Sequence, residues 1–537
     1  MKTTTNKSRL SGFVAAVVCA CLALSLAGCS TTSSASDESA SSNNSTSSAT
    51  VESTSSASAT SSIGGIPTKD DISINETIEN SANGEHAIEE SGGTASYTNT
   101  AVNKTGDSEG DEADFYGENS AIFATDGATL DLTEMVVETD GAHANAIFSY
   151  GEGTTVNVSN SVIETSGNCS GGLMTTGGGT TNASNLRITT QGNSSAAIRS
   201  DRGGGTVTVD GGVYTTNGTG SPVIYSTADI TVNDAELTST TSEGIVVEGK
   251  NSVTLNGVTL VADNNAKNSD KSDNYQAVMI YQSMSGDADE GTASFAMNGG
   301  SLTNKNGDVF FVNNTVCTIA LKNADIVNES DGVFLRAAAA GWGTEGSNGG
   351  QVTLNADAQT INGDMVVDEV SNLNLYLANG STLKGAINSD GEAGDVYVEL
   401  ADGSTWTLTA DSYITSLTCD ADSIDLNGHT LYVDGKAYSE NTASTGKAIE
   451  VTVSSSGNGG PGGTPPDMPS GSGEAPDGSG TSGEKPSGEP PAKPSGDSGS
   501  RPSGEPPAKP SGDSSSKPSG EPPAKPGNNS STSASSN

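Results

Sequence analysis

The central region of this chain repeats one short pattern about every 25 residues. Ala121-Ile122-Phe123 begins one copy and Ala146-Ile147-Phe148 begins the next, and the same register returns at 172–174, 197–199 and 222–224. Each copy contains three short apolar runs separated by turns. Repeats of this length are typical of solenoids, because one unit is too small to bury its own apolar face and must stack on its neighbours.

Three strands and three turns per repeat predict one coil of a right-handed parallel β-helix, which is an all-β fold. Runs such as Thr206-Val207-Thr208-Val209 alternate with period 2, so one face points to a core and the other to solvent. Glycines at positions such as Gly141, Gly211, Gly212 and Gly218 mark the corners between strands. We expect these glycines to supply the positive φ angles that sharp corners require.

Composition divides the chain into four segments. Residues 1–28 have a basic start and a short apolar run, and Leu26-Ala27-Gly28-Cys29 resembles a bacterial lipobox, which predicts a lipoprotein signal peptide and lipidation of Cys29. The Ser/Thr-rich segment 29–62 is a predicted flexible linker, and 63–455 has room for about 13 or 14 coils of the β-helix. The Pro/Gly/Ser-rich repeats of 456–537 predict a disordered tail that could reach a cell wall.

The chain is strongly acidic, and most of its net negative charge lies in the predicted β-helix. The formal net charge is −43, and about −40 of it belongs to residues 63–455. Such a surface repels nucleic acid and anionic lipid headgroups, which bind proteins through lysine and arginine. It is compatible with extracellular solubility and with binding of divalent cations.

The cysteines of the predicted β-helix do not form a disulfide framework. Cys169, Cys317 and Cys419 are separated by several coils, so their Cα atoms lie too far apart for bridging. The sequence favours three small buried side chains over a metal site or a catalytic thiol.

Three insertions lengthen the coils in the second half of the repeat, at 263–276, 283–291 and 337–350. Insertions at stacked positions can gather on one face of a solenoid and form a binding surface. The aromatic residues in or beside them are Tyr275, Tyr281 and Trp342. These rings are the predicted ligand-binding residues, because flat apolar faces with polar edges suit sugar rings; the alternative is that they only cover the core.

An acidic loop provides the candidate metal site. Its alternating acids, which offer oxygen donors of the kind that Ca²⁺ prefers, are Asp107, Glu109, Asp111 and Asp114. The acids of 287–290 form a second such loop. A solvated acidic loop is the alternative in both places, and no other cofactor is expected.

The sequence offers no catalytic constellation. Hydrolysis of a glycosidic bond needs paired carboxylates, and a lyase needs Ca²⁺-binding acids with a basic residue. His86, His143 and His429 do not lie beside such acids in the sequence, and Arg199 and Arg202 are expected to pair with neighbouring carboxylates. We therefore assign no catalytic residue and expect a protein that is not an enzyme.

The repeat also resembles a known family. The segments 124–129, 203–212 and 248–255 resemble secreted β-helix proteins of gut-associated bacteria, adhesin-like lipoproteins of the pectin-lyase-like superfamily. The resemblance implies a lipid-anchored protein on the outer face of the cell membrane that binds an extracellular glycan or a host surface. A polysaccharide lyase or glycoside hydrolase is the alternative, and a structural surface stalk is the second alternative.

Overall fold

The structure is a computed structural model that describes residues 65–391 and 394–451. These residues form a parallel β-helix, which confirms the predicted fold class. The predicted signal peptide, Cys29, the linker 29–62 and the tail 456–537 lie outside the described residues. Within the described part of the chain, no helix is both long enough and apolar enough to cross a membrane.

Three long parallel sheets form the sides of the β-helix, and each coil visits them in the order A, B, C. Sheet A has ten strands: Glu76–Asn80, Thr100–Lys104, Val136–Thr139, Val162–Thr165, Arg187–Thr190, Val213–Thr216, Glu236–Ser239, Thr259–Ala262, Ser301–Asn304 and Asp325–Asn328. Sheet B has eleven strands: Ile88–Ser91, Ile122–Thr125, Ile147–Tyr150, Leu173–Thr176, Ile198–Ser200, Ile224–Ser226, Ile245–Glu248, Gln276–Tyr281, Asp308–Asn313, Leu335–Ala337 and Met365–Val367.

Sheet C is the longest, and its 13 strands agree with the predicted number of coils. Its strands are Thr94–Thr98, Thr129–Thr133, Thr155–Ser159, Gly179–Ser184, Gly205–Asp210, Asp229–Asn233, Ser252–Asn256, Thr292–Asn298, Thr315–Lys322, Gly350–Asp357, Asn372–Ala378, Asp395–Leu400 and Ser416–Thr418. Two small sheets complete the C-terminal end: Thr360–Asn362, Thr382–Lys384, Thr405–Thr407 and Ile424–Asp425 in one, and Ser412–Ile414, Leu431–Val433 and Lys436–Ala437 in the other. The short helices are Lys69–Asp71 and Asp111–Phe115.

The core is a column of stacked apolar side chains, as the alternating pattern predicts. In sheet B, Ile147, Leu173 and Ile198 occupy the same register on successive coils, and each is at most 1 % exposed. On the outer face of sheet C, the Asn182 amide donates to Asn157 one coil before, which in turn donates to Asp131. Coils about 4.8 Å apart bring like side chains into contact, so both the core and the polar ladder follow from the repeat.

Five corner glycines are required for close packing rather than for their φ angles. They lie between sheets A and B in successive coils: Gly106, Gly141, Gly167, Gly192 and Gly218. A Cβ atom on any of the last four would overlap the carbonyl oxygen of the corner glycine one coil before. The expectation of positive φ is therefore wrong for Gly141 and Gly218, whereas it holds for Gly211 (69°) and Gly212 (107°).

The outer face of sheet B, unlike those of sheets A and C, is largely covered by loops. The insertion 263–276 enters sheet B from sheet A, and the insertions 283–291 and 337–350 leave it toward sheet C. Gly341 N donates to Lys271 O at 2.7 Å, so two of these insertions contact each other directly. The predicted gathering of the insertions on one face is confirmed.

Candidate functional site

A polar interruption in the outer face of sheet B marks the candidate site. The outward side chains on successive coils are Phe123, Phe148, Met174, Arg199, Tyr225, Val246, Met279 and Phe311. The first three form one apolar cluster, and the last three form another with Tyr281. The surface between the two clusters carries Arg199 and Tyr225.

A groove of about 300 Å³ opens at this interruption. It is bounded on one side by Asp111 and Phe115 of the short helix, and on the other by Tyr281 and residues 283–287. Its floor includes Arg199, Asp201, Tyr225 and Glu248. We call this feature the sheet B groove.

The three predicted aromatic residues lie together at one end of this groove. Tyr275, Tyr281 and Trp342 line one pocket, and that pocket shares Tyr225 and Tyr281 with the sheet B groove. The Tyr281 and Trp342 rings meet edge to face with their centroids 5.3 Å apart. Lys271 Nζ lies 5.7 Å from the centre of the Trp342 ring. The three rings predicted from the sequence therefore lie together on one wall of the candidate site, and their role in ligand binding stays a prediction.

A buried ion pair forms part of the groove floor. Arg199 donates to Asp201 Oδ2 through Nε at 3.1 Å and through Nη2 at 2.7 Å. The Asp201 side chain is only 2 % exposed, and burial raises its pKa to about 7 against the opposing effect of Arg199. Burial lowers the pKa of Arg199, but the carboxylates of Asp201 and Asp114 outweigh that effect, so its pKa is raised and the guanidinium stays charged.

Arg202 connects both walls of the groove. Its Nε donates to Asp287 Oδ1 at 2.9 Å, and its Nη1 donates to Asp111 Oδ2 at 3.0 Å. The guanidinium carbon also lies 3.7 Å from the centre of the Phe115 ring. The expected pairing of both arginines with neighbouring acids is confirmed, and in Arg202 it fixes the insertion 283–291 to the short helix.

A second carboxylate is buried near Asp201. Glu248 is fully buried, accepts a hydrogen bond from the Tyr225 hydroxyl, and accepts another from Ser283 N at 3.2 Å. Burial and the Glu248 carboxylate raise the pKa of Tyr225 well above its ordinary value, so this hydroxyl remains a hydrogen-bond donor. The Tyr225 and Tyr281 hydroxyl oxygens are 3.5 Å apart, which links the acidic floor to the aromatic end.

Two buried oxygen acceptors along this surface have no hydrogen-bond donor. They are Asp201 Oδ1 in the sheet B groove and Gln276 Oε1 in the aromatic pocket. Buried polar atoms in folded proteins are nearly always satisfied, by the protein, by water or by a ligand. Both atoms are enclosed, so a ligand with several hydroxyl groups would satisfy them after a local movement that opens them to the groove.

The acids of the predicted Ca²⁺ loop do not converge on one point. Asp111 pairs with Arg202, and Asp114 Oδ1 lies 2.7 Å from His143 Nδ1. Asp107 accepts a hydrogen bond from Ala142 N, and Glu109 is exposed and is not part of any close group of acids, histidines and cysteines among the described residues. In the second acidic loop, Asp287 pairs with Arg202 and Asp289 with Lys250.

Sequence reasoning missed Tyr225 and Glu248 and used Asp201 only as the partner of an arginine. A signal was present at Arg199, because the repeat places it at the outward position that Phe123 and Phe148 fill in earlier coils. The expected register 222–224 placed Ile224 at this position in the next coil, whereas the structure has Tyr225 there. A polar group at that register is informative only when loops cover the face, and the sequence does not show the cover.

No family model and no curated protein matches this chain. The fold and the site define a parallel β-helix with one covered, grooved face.

The buried Asp201 carboxyl predicts a pH-dependent stability. Because its folded-state pKa of about 7 exceeds the ordinary value of 3.8, the folded chain keeps a proton that the unfolded chain loses. Its contribution to the free energy of unfolding therefore falls as pH rises through this window, by at most about 1.4 kcal/mol per pH unit. Denaturant unfolding at several pH values should show a steeper fall for the wild type than for Asp201→Asn.

The matched control for this pH series is Asp289→Asn, on the exposed pair with Lys250. That variant should keep the wild-type slope. Equal slopes in the wild type and in Asp201→Asn would contradict a raised pKa at Asp201.

Proposed function

We propose that this protein is a glycan-binding module and that the sheet B groove with its aromatic pocket is the binding site. The observation that carries the proposal is the pair of buried, donor-less oxygens, Asp201 Oδ1 and Gln276 Oε1, beside aromatic walls. Sugars combine the two matching features, since their hydroxyls donate hydrogen bonds and their C–H faces pack on aromatic rings.

The charges of the groove favour a neutral glycan over an acidic one. Two arginines face four acids there, and each arginine already pairs with at least one of them. The acids are Asp111, Asp201, Glu248 and Asp287. A uronate carboxylate would meet like charge and find both guanidinium groups engaged, whereas a neutral hydroxyl meets acceptors.

The cellular setting of the proposal rests on segments outside the described residues. We propose a lipid anchor at Cys29, a linker through 29–62 and a tail through 456–537, which together would present the β-helix on the outer face of the membrane. An extracellular glycan or a glycan-coated host surface is then the partner, and the tail is available for contact with a cell wall.

The proposal predicts that Trp342→Ala weakens glycan binding roughly tenfold, the loss expected for one ring face against a sugar. The full chain is screened on a glycan array, and the affinity for the best glycan is then measured by titration calorimetry. The matched control is Tyr413→Ala, which truncates a half-buried aromatic residue that stacks on Tyr432 outside the groove. Retention of a glycan with equal affinity in both variants would place the binding surface elsewhere, and no retention at all would favour a structural stalk.

Glycoside hydrolysis is the second candidate function, and it has one specific observation in its favour. Asp201, with a pKa of about 7, is suited to donate a proton to a glycosidic oxygen. Glu248 lies two coils further along sheet B, roughly 10 Å at the usual strand spacing, and would act as the base toward water. The glycans retained on the array are therefore also assayed for new reducing ends, which Asp201→Asn should abolish if the protein cleaves them.

A further inference from the structure

A second cluster of chemically reactive side chains lies at the corner between sheets A and B. His143 and Cys169 occupy the same place on successive coils, with φ angles of 56° and 54°. His143 N donates to Asn168 O at 2.9 Å, and Cys169 N donates to Asn193 O at 2.8 Å, so the backbones of both residues are fixed by the next coil. The coil stacking therefore places an imidazole directly beside a thiol.

The short helix Asp111–Phe115 adds a carboxylate to this pair. Asp114 Oδ1 lies 2.7 Å from His143 Nδ1. The helix is held in place at both ends, because the Thr176 hydroxyl donates to Phe115 O at 2.8 Å and Arg202 donates to Asp111. One donor atom from each of Asp114, His143 and Cys169 lies within 4.8 Å of the other two.

The cluster is nearly enclosed. Asp114 is 1 % exposed and Cys169 2 %, while the His143 side chain is 13 % exposed. Within the described residues, this is the one group of at least three histidine, cysteine or acidic side chains whose donor atoms approach one another this closely. Other acids of the surface lie apart or pair with lysine and arginine, so the cluster stands out by its chemistry as well as by its burial.

We infer that Asp114, His143 and Cys169 bind a zinc ion. A thiolate, an imidazole and a carboxylate are the three ligand types of protein Zn²⁺ sites. Ca²⁺ and Mg²⁺ require six or more oxygen ligands or near-ideal octahedral oxygen geometry, which a mixed sulfur, nitrogen and oxygen set does not provide. Cys169 is buried, as the sequence predicts, and the inference adds a metal-binding role to it.

The geometry requires only a small local adjustment. Bonds of about 2.0–2.3 Å at tetrahedral angles place neighbouring donor atoms about 3.5 Å apart. The 2.7 Å contact between Asp114 Oδ1 and His143 Nδ1 must therefore open by about 0.8 Å, and because all donor atoms lie within 4.8 Å of one another, no separation must close by more than about 1.3 Å. Binding releases the proton of the Cys169 thiol to solvent, and it requires a neutral His143 imidazole whose proton lies on the ring nitrogen that does not bind the metal. Three protein ligands leave a fourth position for water, and the partial exposure of His143 marks the side from which water reaches it.

The zinc site adjoins the sheet B groove but does not depend on the proposed function. Ser194 follows Cys169 at the same corner, with a φ angle of 56°, and its carbonyl accepts a hydrogen bond from Arg199 at 3.4 Å. The site is therefore one coil from the groove floor. None of its three residues lines the groove, so metal binding and glycan binding can fail separately.

The test uses Co²⁺ as a spectroscopic probe for Zn²⁺ in the purified full chain. We expect one equivalent of Co²⁺ to produce a thiolate-to-cobalt charge-transfer band, and Zn²⁺ to displace it stoichiometrically. The band is the decisive readout, because the many surface carboxylates can hold metal ions without giving any sulfur signal. Absence of the band in the wild-type chain would overturn the inference, and this result does not require any variant to fold.

Variants then assign the ligands. Cys169→Ser should abolish the band, His143→Ala should weaken Zn²⁺ binding at least 100-fold, and Asp114→Asn at least tenfold, in a competition assay with a chromophoric chelator. The matched controls are Cys317→Ser and His86→Ala, a buried cysteine and a half-buried histidine outside the cluster. Circular dichroism verifies the β-helix in each variant. A Cys169→Ser chain that keeps the band, or controls that lose it, would assign the metal elsewhere.

Discussion

Replacing Gly192 with alanine is expected to destabilise the β-helix by about 3 kcal/mol or more. A Cβ at this position would overlap the backbone carbonyl of Gly167 on the preceding coil. Inserting an atom into a packed interior usually costs about 1–3 kcal/mol, because side chains can move aside. Here the obstacle is backbone whose chain neighbours bond to the coils on either side, Ser166 N to Thr139 O and Cys169 N to Asn193 O, so two coils must separate locally. The measurement is the midpoint and slope of denaturant unfolding.

The control for Gly192 is Gly299→Ala. Gly299 has a φ angle of 64° and open space where its Cβ would lie, so it tests backbone strain without a clash. A left-handed alanine costs about 1–2 kcal/mol. A loss at Gly192 no larger than the loss at Gly299 would contradict the expected backbone overlap at the corner. Gly167→Ala, the next member of the same column, should match Gly192→Ala.

The second large effect is expected at the buried ion pair of the groove floor. Arg199→Ala should destabilise the protein by about 3–5 kcal/mol, the usual cost of leaving one member of a buried pair without its partner. The Asp201 carboxyl is 2 % exposed and already lacks a donor at Oδ1, so truncation of Arg199 would remove its main stabilising contact. The difference in the free energy of unfolding between Arg199→Ala and the wild type should be largest at pH 8. At this pH the unpaired Asp201 carboxyl must either ionise inside the protein or keep a proton that the unfolded chain has lost, and both are unfavourable.

Two comparisons separate the ion pair from simple loss of packing. Lys250→Ala removes one member of a pair whose side chains are 56 % and 78 % exposed, and it should change the unfolding midpoint very little. The double replacement Arg199→Met with Asp201→Leu removes both charges and should recover most of the stability lost in Arg199→Ala. A double variant as unstable as the single one would contradict the electrostatic explanation.

The covered face shows where the sequence stopped being informative. The repeat predicted that Phe123, Phe148 and Arg199 share one register, and the structure confirms this. In the next coil the predicted register 222–224 is wrong by one residue, because Tyr225 and not Ile224 stacks on Arg199. The repeat did not show that a five-residue helix and three insertions cover this register. Loop conformation depends on contacts such as Arg202 to Asp111 and Asp287, which join residues 85 and 91 positions apart. No local pattern encodes such pairs.

The cluster of Asp114, His143 and Cys169 was also only partly predictable from the sequence. The 26-residue spacing of His143 and Cys169 equals one coil, so the sequence already placed them on neighbouring turns. Their side chains meet because both residues take positive φ at the corner, and Asp114 joins them only through the position of its helix. The acidic loop around it is oxygen-rich in sequence, yet its members bond to three different partners in the fold.

The sequence by itself determined the architecture: strand periodicity, coil length and the number of coils all follow from side chains that can be buried only by stacking like on like. It also indicated that Tyr275, Tyr281 and Trp342 lie near one another, because long insertions in neighbouring coils emerge close together. Only the tertiary structure showed why the corners require glycine, that Asp201 and Glu248 are buried, and that Asp114, His143 and Cys169 lie together. Each of these depends on distances between backbones and loops of different coils, and such distances are set by packing rather than by any pattern along the chain.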